Sequence, residues 1–488
     1  MAIASGAIWE IRTSADAGNV GGGFFVTGAS GSDFSQQNSP QYALTGVTSS
    51  GAGNTILTAS AAADMVGNGI KVISGTNFTV SWFEITSVSI GVSITCSTNA
   101  AGASISTGVG ASGVMNVGGA ISLGTSGASG DDDVFEAGSA GNKWYIKLGT
   151  YTLGETVSIA LVGTSTSPIK VYGYQTTRDD NPIGTNRPTF ACGANVFSTG
   201  QFWWFYNFIF TGTASSVISF NNESLVVNCF SINKSTSGGR NAFSAANDMF
   251  IFNCEAVSYI GRGISVGSSV RIIISSCWIH ECSTGILVSS ASSKIIDNCI
   301  VSSCITVAIQ LTIGNISQVK NCTLYGSENT TSIGLAILTG SSNVRVINNI
   351  LYGFTTGVSY ADTSSEGFDD YNDYFNNDND VNNTANWQKG SNDVAINPAF
   401  AGVAQLTGTT ATTSGSVLTQ SGGDFSTVVD GRDYLYLVSG TGITAGIYGI
   451  TAHTATTVTL DNAPGTNATA DKVWQITTGH NFAITGAI

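Results

Sequence analysis

At 488 residues the chain is long enough for two or three domains, or for one long repeat domain with attachments. It is 42% hydrophobic, but only 10% of its residues are charged, well under the roughly 25% of ordinary soluble domains. Its net charge of −14 repels phosphate backbones and argues against nucleic acid as a partner, whereas a neutral polyhydroxylated partner such as a glycan is compatible with it. Sixty glycines against six prolines signal many tight turns, and the abundance of Val, Ile, Thr and aromatics over Glu, Lys and Gln favours strands.

The N-terminal stretch Met1-Ala2-Ile3-Ala4-Ser5-Gly6-Ala7-Ile8-Trp9-Glu10 lacks a basic segment followed by a long apolar one. No apolar run reaches the roughly 18 residues of a membrane span. The expectation is a protein folded in a cytoplasm, with no membrane insertion. Residues 1–130 read as a β-rich region. Within it, residues 74–86 (SGTNFTVSWFEIT) return near the other end as residues 439–451 (SGTGITAGIYGIT), with six of thirteen positions identical at a constant offset of 365. These are expected to be two copies of a small β-module, one within 1–130 and one within 401–488, that cap the exposed edges of the segment between them. The acidic run Asp131-Asp132-Asp133 reads as a solvated linker.

Residues 131–400 carry the strongest signal. Val226-Val227-Asn228-Cys229 returns as Ile251-Phe252-Asn253-Cys254, Ile274-Ser275-Ser276-Cys277, Ile296-Asp297-Asn298-Cys299, Val319-Lys320-Asn321-Cys322 and Val346-Ile347-Asn348-Asn349. The last column steps by 25, 23, 22, 23 and 27 residues, the period of a solenoid. The first column is β-branched and apolar, as an inward strand position requires. The Asn column tolerates a left-handed corner, and its amides stack from coil to coil. A glycine column (Gly263, Gly285, Gly334, Gly357) reads as a second turn. A leucine-rich repeat would need regular leucines that this chain lacks. The expected fold is therefore all-β, a right-handed parallel β-helix with flanking small β-modules.

Nine cysteines, five of them locked to the repeat, argue against a disulfide framework and for a column of buried thiols acting as small hydrophobes. No CxxC pair or Cys/His cluster suggests a metal, and no cofactor motif is present. Trp203-Trp204-Phe205-Tyr206 reads as an early-coil aromatic stack. The coil carboxylates Glu223, Asp248, Glu255, Glu281, Asp297 and Glu328 are scattered. Glu255 and Trp278 share one column on adjacent coils, His280 lies two residues further along, and Glu281 follows it. These four form a candidate outward patch for carbohydrate, with an aromatic face and polar partners. The Asp/Asn-rich stretch from Glu366 to Asp378, running on to Ile396-Asn397-Pro398-Ala399-Phe400, reads as a solvated loop leaving the last coils. Calcium binding there is the alternative, although the spacing of an EF-hand is missing.

Several stretches resemble known proteins. Lys143-Trp144-Tyr145-Ile146-Lys147-Leu148-Gly149-Thr150-Tyr151-Thr152-Leu153, Pro168-Ile169-Lys170-Val171-Tyr172-Gly173-Tyr174 and the Asn-corner coils are similar to the pectate-lyase-like β-helix superfamily. Trp9-Glu10-Ile11-Arg12-Thr13 and Gly21-Gly22-Gly23-Phe24-Phe25 look like openings of bacteriophage-associated members, which are tail spikes, fibres or decoration proteins. The resemblance specifies fold better than function. It carries no active site across, because the Gly-His-Gly and Arg-x-Lys elements of polygalacturonase-like enzymes are absent. It implies a non-catalytic structural protein on a virion surface after assembly in a host cytoplasm. The implied partners are other virion proteins, a host surface glycan, and two further copies of the chain in a homotrimer. A glycan-degrading spike enzyme and a glycan-binding adhesin are the alternatives.

Overall fold

An apolar side chain that turns inward on every coil, and a corner residue that accepts left-handed backbone, are the two devices on which the coils are built. The computed structural model describes residues 8–11, 42–49, 53–66, 69–79, 82–97, 110–117, 140–153, 156–267, 269–289, 291–312, 316–326, 332–341, 343–361, 366–382, 387–398, 400–401, 404–478 and 483–484. Asp131-Asp132-Asp133, Gly21–Phe25 and Glu328 lie outside them. The chain divides into two units, residues 1–230 and 231–488. The chain is all-β, a right-handed parallel β-helix with flanking small β-modules.

In the first unit the strands Lys143–Lys147, Ile169–Tyr174, Trp203–Tyr206 and Ser224–Val227 pair in parallel, one per coil. Ile8–Ile11 adds to the free side of Lys143–Lys147, so this short strand belongs to the coil sheet although some 130 residues separate the two in sequence. Trp203 and Phe205 point inward and are buried, while Trp204 and Tyr206 face out. Tyr206 stacks on Tyr172 at 4.8 Å, which confirms the aromatic stack.

In the second unit Met249–Phe252, Ser269–Ser275, Ala291–Asp297, Ile316–Lys320, Val344–Ile347, Gly367–Asp370 and Trp387–Gln388 run one per coil, each parallel to the next. Ile251, Ile274, Ile296, Val319 and Val346 are all buried, as their column requires. The Asn corners are left-handed: Asn253, Ser276, Asn298, Asn321 and Asn348 have φ of 51, 56, 53, 55 and 56°. Their side chains bond along the stack, with Asn298 Nδ2 donating to Ser276 Oγ at 3.2 Å and Asn348 Nδ2 to Asn321 Oδ1 at 2.8 Å. In the first unit Asn228 Nδ2 donates to Asn207 Oδ1 in the same way, at 2.8 Å. The thiols are buried and unbridged. Each column thiol donates to the carbonyl two residues back, as from Cys277 to Ser275 O at 3.2 Å and from Cys322 to Lys320 O at 3.1 Å.

Two expectations need correction. The glycine column is not a turn. Gly263 and Gly285 sit inside the long strands Glu255–Val266 and Trp278–Ser289, without left-handed backbone. They are glycines because a Cβ on Gly263 would meet Ile279 Cγ2 at 2.5 Å, and one on Gly285 would meet Val301 Cγ1 at 2.5 Å. The second corner is instead a left-handed bulge column at Glu281, Ser303, Gly353 and Asn376, with φ of 50, 51, 76 and 58°. Nor is the Asp/Asn-rich stretch a departing loop. Gly367–Asp370, Asp373–Phe375 and Asn379–Asn382 pair with the preceding coil and form another one. The inward column turns polar there. Asp369 follows Val346 in register, and its carboxylate accepts from Tyr374 Oη at 2.7 Å and from Gly390 N at 3.1 Å. The thiol column likewise continues as Asn349 and Asn372, whose amides bond to each other at 3.0 Å.

The two modules share one strand order. Residues 42–117 run Tyr42–Val47, Ala111–Val117, Gly69–Thr76, Trp82–Ser89, Ser93–Cys96, Thr55–Leu57, and a bridge between Thr48 and Leu57 joins the two ends of that order. Residues 404–478 form a closed barrel in the corresponding order: Ala404–Ser414, Asn467–Thr478, Tyr434–Ser439, Gly446–His453, Thr457–Leu460, Val417–Thr419. Core residues Ile70, Val72, Phe83 and Ile85 correspond to Leu435, Leu437, Tyr448 and Ile450, each at the offset of 365 that the sequence shows.

Candidate functional site

The candidate patch is built on two neighbouring strands of the second unit. Glu255 pairs with Trp278 and Val257 with His280. The register then slips, so that Ser258 faces Cys282 and Glu281 is left as the bulged residue. Glu255, Trp278 and His280 come together: the His280 ring stacks on Trp278 at 3.8 Å, and its Nε2 lies 3.0 Å from Glu255 Oε1. The expectation that all four side chains are open to a ligand does not hold. His280 is 1% exposed and Glu281 3%. The C-terminal barrel covers them, its Tyr434 meeting the His280 ring edge-on at 5.8 Å. Trp278 and Glu255 remain half-exposed at the rim.

Burial sets the electrostatics of this joint. It holds the Glu281 carboxyl well above the ordinary carboxylate range, against a hydrogen bond from Ser303, and nearby Asp433 of the barrel adds to the rise. Burial and the neighbouring Asp433 both favour the protonated form of this carboxyl. Burial likewise raises the Tyr434 hydroxyl, and Glu255 and Glu281 raise it further. Next to this pair, Tyr259 Oη donates to Asp461 Oδ2 at 2.6 Å, and Lys234 Nζ pairs with the same oxygen at 2.9 Å. Gly449 N donates to Asp461 Oδ1 at 3.0 Å. A Cβ on Gly449 would stand 2.7 Å from Tyr259 Oη, so a glycine is required at this close approach. Lys234, Tyr259, Asp433, Tyr434 and Asp461 were not legible as a group, because the coil and barrel partners lie some 200 residues apart. Of the other coil carboxylates, Asp248 accepts from Arg271 N at 2.8 Å, and Asp297 accepts from Asn321 Nδ2 at 2.8 Å and lies 3.9 Å from Lys320 Nζ.

Residues 195–399, less than half of the chain, match the family described as periplasmic copper-binding protein (NosD). No curated protein matches the sequence. Among solved structures the chain is similar to the pectate lyase Pel9A (13% identity, 58% of this chain and 82% of that one, TM-score 0.38). It is also similar to a tailspike protein of E. coli bacteriophage HK620 in complex with a pentasaccharide (11%, 73% and 85%, 0.38) and to a pectin methylesterase from Aspergillus niger (15%, 57% and 94%, 0.33).

The donors present decide whether these coils suit the copper of that family description. Soft metals are held by convergent thiolates and imidazoles. Among the described residues no three His, Cys, Asp or Glu side chains gather to hold an ion. His280, the single histidine within 195–399, sits against Glu255 and Trp278. The thiols face the core and are buried, and the Cys282 thiol is pushed up by burial. The residues in these coils do not fit a copper centre.

Proposed function

We propose that the chain is a non-catalytic structural protein of a bacteriophage virion surface, a tail spike, fibre or capsid decoration protein, that contacts host glycans and assembles with other virion proteins. One observation supports the non-catalytic part. The most enzyme-like cluster on the coils, Glu255, His280 and Glu281, joins the barrel to the solenoid instead of lining an open cleft. Glycosidase chemistry needs two carboxylates facing one bond across roughly 5–10 Å. Here Glu281 is covered and Glu255 holds a histidine. The virion assignment draws on the likeness of the N-terminal and coil motifs to phage-associated β-helix proteins.

Two measurements test this reading. Incubation with host surface polysaccharides should release neither reducing ends nor unsaturated sugars. Turnover that disappears in Glu255→Gln would make the protein a spike enzyme. Purified particles should contain the chain at their surface, visible by antibody labelling, and absence from particles would remove the virion assignment. The match over 195–399 favours a second reading, a periplasmic β-helix protein, and recovery in the periplasmic fraction without particles would select it. Parallel β-helix spikes trimerise, so a native mass of three chains is expected. Monomer alone at micromolar concentration would overturn the trimer.

A further inference from the structure

The last full coil breaks the Asn corner in an unusual way. Where the preceding coils place Asn298, Asn321 and Asn348 at φ of 53, 55 and 56°, this coil places Tyr371 at 59°. Asn accepts that conformation through its short polar side chain. A bulky aromatic is strained there. The ring is also 60% exposed, so packing does not offset the strain. Such a residue persists where it has another use.

Tyr371 stands at a cleft of about 390 Å³ that Asn321, Thr323, Asn348, Asn349 and Asp373 also line. Asp373 is 2% exposed. Its Oδ1 accepts from Ile396 N at 2.9 Å, while the buried Oδ2 has no hydrogen-bond partner. A buried carboxylate oxygen without a donor is unfavourable until a ligand supplies one. An exposed aromatic face, amides and a hydroxyl on the walls, and an unsatisfied acceptor among the lining groups match a pyranose. Its apolar C–H face stacks on a ring while its hydroxyls donate and accept. None of the lining residues is basic, so nothing there would hold the carboxylate of an acidic sugar.

We propose that this cleft is a binding site for a neutral saccharide, with a sugar ring on Tyr371 and a hydroxyl donating to Asp373 Oδ2. This rests on the glycan-contact part of the function proposed above, and gives that contact a place and a class of ligand.

The test uses the full chain, with maltotriose, cellotriose, chitotriose and galacturonotriose as probes, read by saturation-transfer NMR and calorimetry. At least one neutral trisaccharide should bind, and galacturonotriose should not. Tyr371→Asn installs the corner residue of the other coils, so it should fold at least as well as the parent yet bind about tenfold more weakly. Asp373→Asn keeps the side-chain shape and should weaken binding by a similar factor. Binding that is unchanged in both variants would remove this site while leaving glycan contact intact elsewhere. No binding of any neutral probe would overturn the site and the glycan contact together, without touching the virion assignment. Equal binding of galacturonotriose would overturn the neutral class. Binding that a calcium chelator abolishes and Tyr371→Asn does not affect would make the cleft a cation site instead.

Discussion

The two small modules have one strand order and one inward pattern, and the C-terminal copy carries a polar face against coils of its own unit. Ile70, Val72, Phe83 and Ile85 fill one core as Leu435, Leu437, Tyr448 and Ile450 fill the other. The residues that meet the coils are not shared. Under the same offset Tyr434 corresponds to Gly69 and Gly449 to Glu84. Asp461, the residue after the buried Leu460, corresponds to Ser97 after the buried Cys96. The barrel needs only its alternating apolar positions to form, so its outward positions were free to change. In the C-terminal copy they are a tyrosine, a carboxylate and a glycine that leaves room for a tyrosine hydroxyl.

The sharpest way to break this difference is to give the C-terminal copy the residue of its counterpart. Gly449→Glu places a Cβ at the 2.7 Å approach to Tyr259 Oη and a second carboxylate beside Asp461. Overpacking and an uncompensated charge together should cost about 3–5 kcal/mol of docking. The barrel core stays intact, so limited proteolysis should cut between solenoid and barrel and release a folded barrel. Unchanged protease resistance would show that Asp461 and Tyr259 do not hold the joint. Asp461→Ala is the next largest. It strands the Tyr259 hydroxyl and the Lys234 ammonium, removing hydrogen bonds of 2.6 and 2.9 Å to a charged acceptor. About 2–3 kcal/mol is expected by chemical denaturation.

The third prediction is a control within the coils. In Cys277→Ser the hydroxyl inherits the thiol's bond to Ser275 O, 3.2 Å away in the parent, so the cost should stay near 1 kcal/mol. Native Cys277 should label slowly with thiol reagents and unfolded Cys277 quickly. Loss of barrel docking in this variant would mean that coil packing, not the polar joint, holds the barrel.

These contrasts also mark what a sequence discloses. The inward column from Val226 to Val346, the buried thiols and the left-handed Asn corners were all legible, because one physical demand recurs at each coil. The coil from Gly367 onward was hidden, since Asp369 replaces the apolar residue and is satisfied by Tyr374, an exchange that no periodicity records. The second corner was misassigned to glycines that are small for lack of space, whereas the left-handed residues are Glu281 and Ser303. Glu255, Trp278 and His280 lie side by side on the coils, but His280 and Glu281 are closed off from solvent. That access is decided by a barrel some 150 residues downstream.

The effect that reads the joint most directly belongs to Glu281→Gln. Glu281 lies under the barrel beside Asp433, with Tyr434 and His280 on its barrel side and Ser303, Cys282 and Cys304 around it in the coils. Its carboxyl titrates above the ordinary range when folded and within that range when unfolded. Below the unfolded value both states are protonated, and the parent and the glutamine variant should melt together. As pH rises through the ordinary carboxylate range the unfolded chain loses its proton first, so the folded parent loses stability, and continues to lose it until the raised folded value is passed. The variant has no proton to lose at this site. The difference in melting temperature between the two should therefore open with rising pH, in the variant's favour. Calorimetric scans of both proteins across the same buffers check it. Parallel melting curves over the whole range would mean that Glu281 ionises freely in the folded state, and that the barrel does not seal the joint.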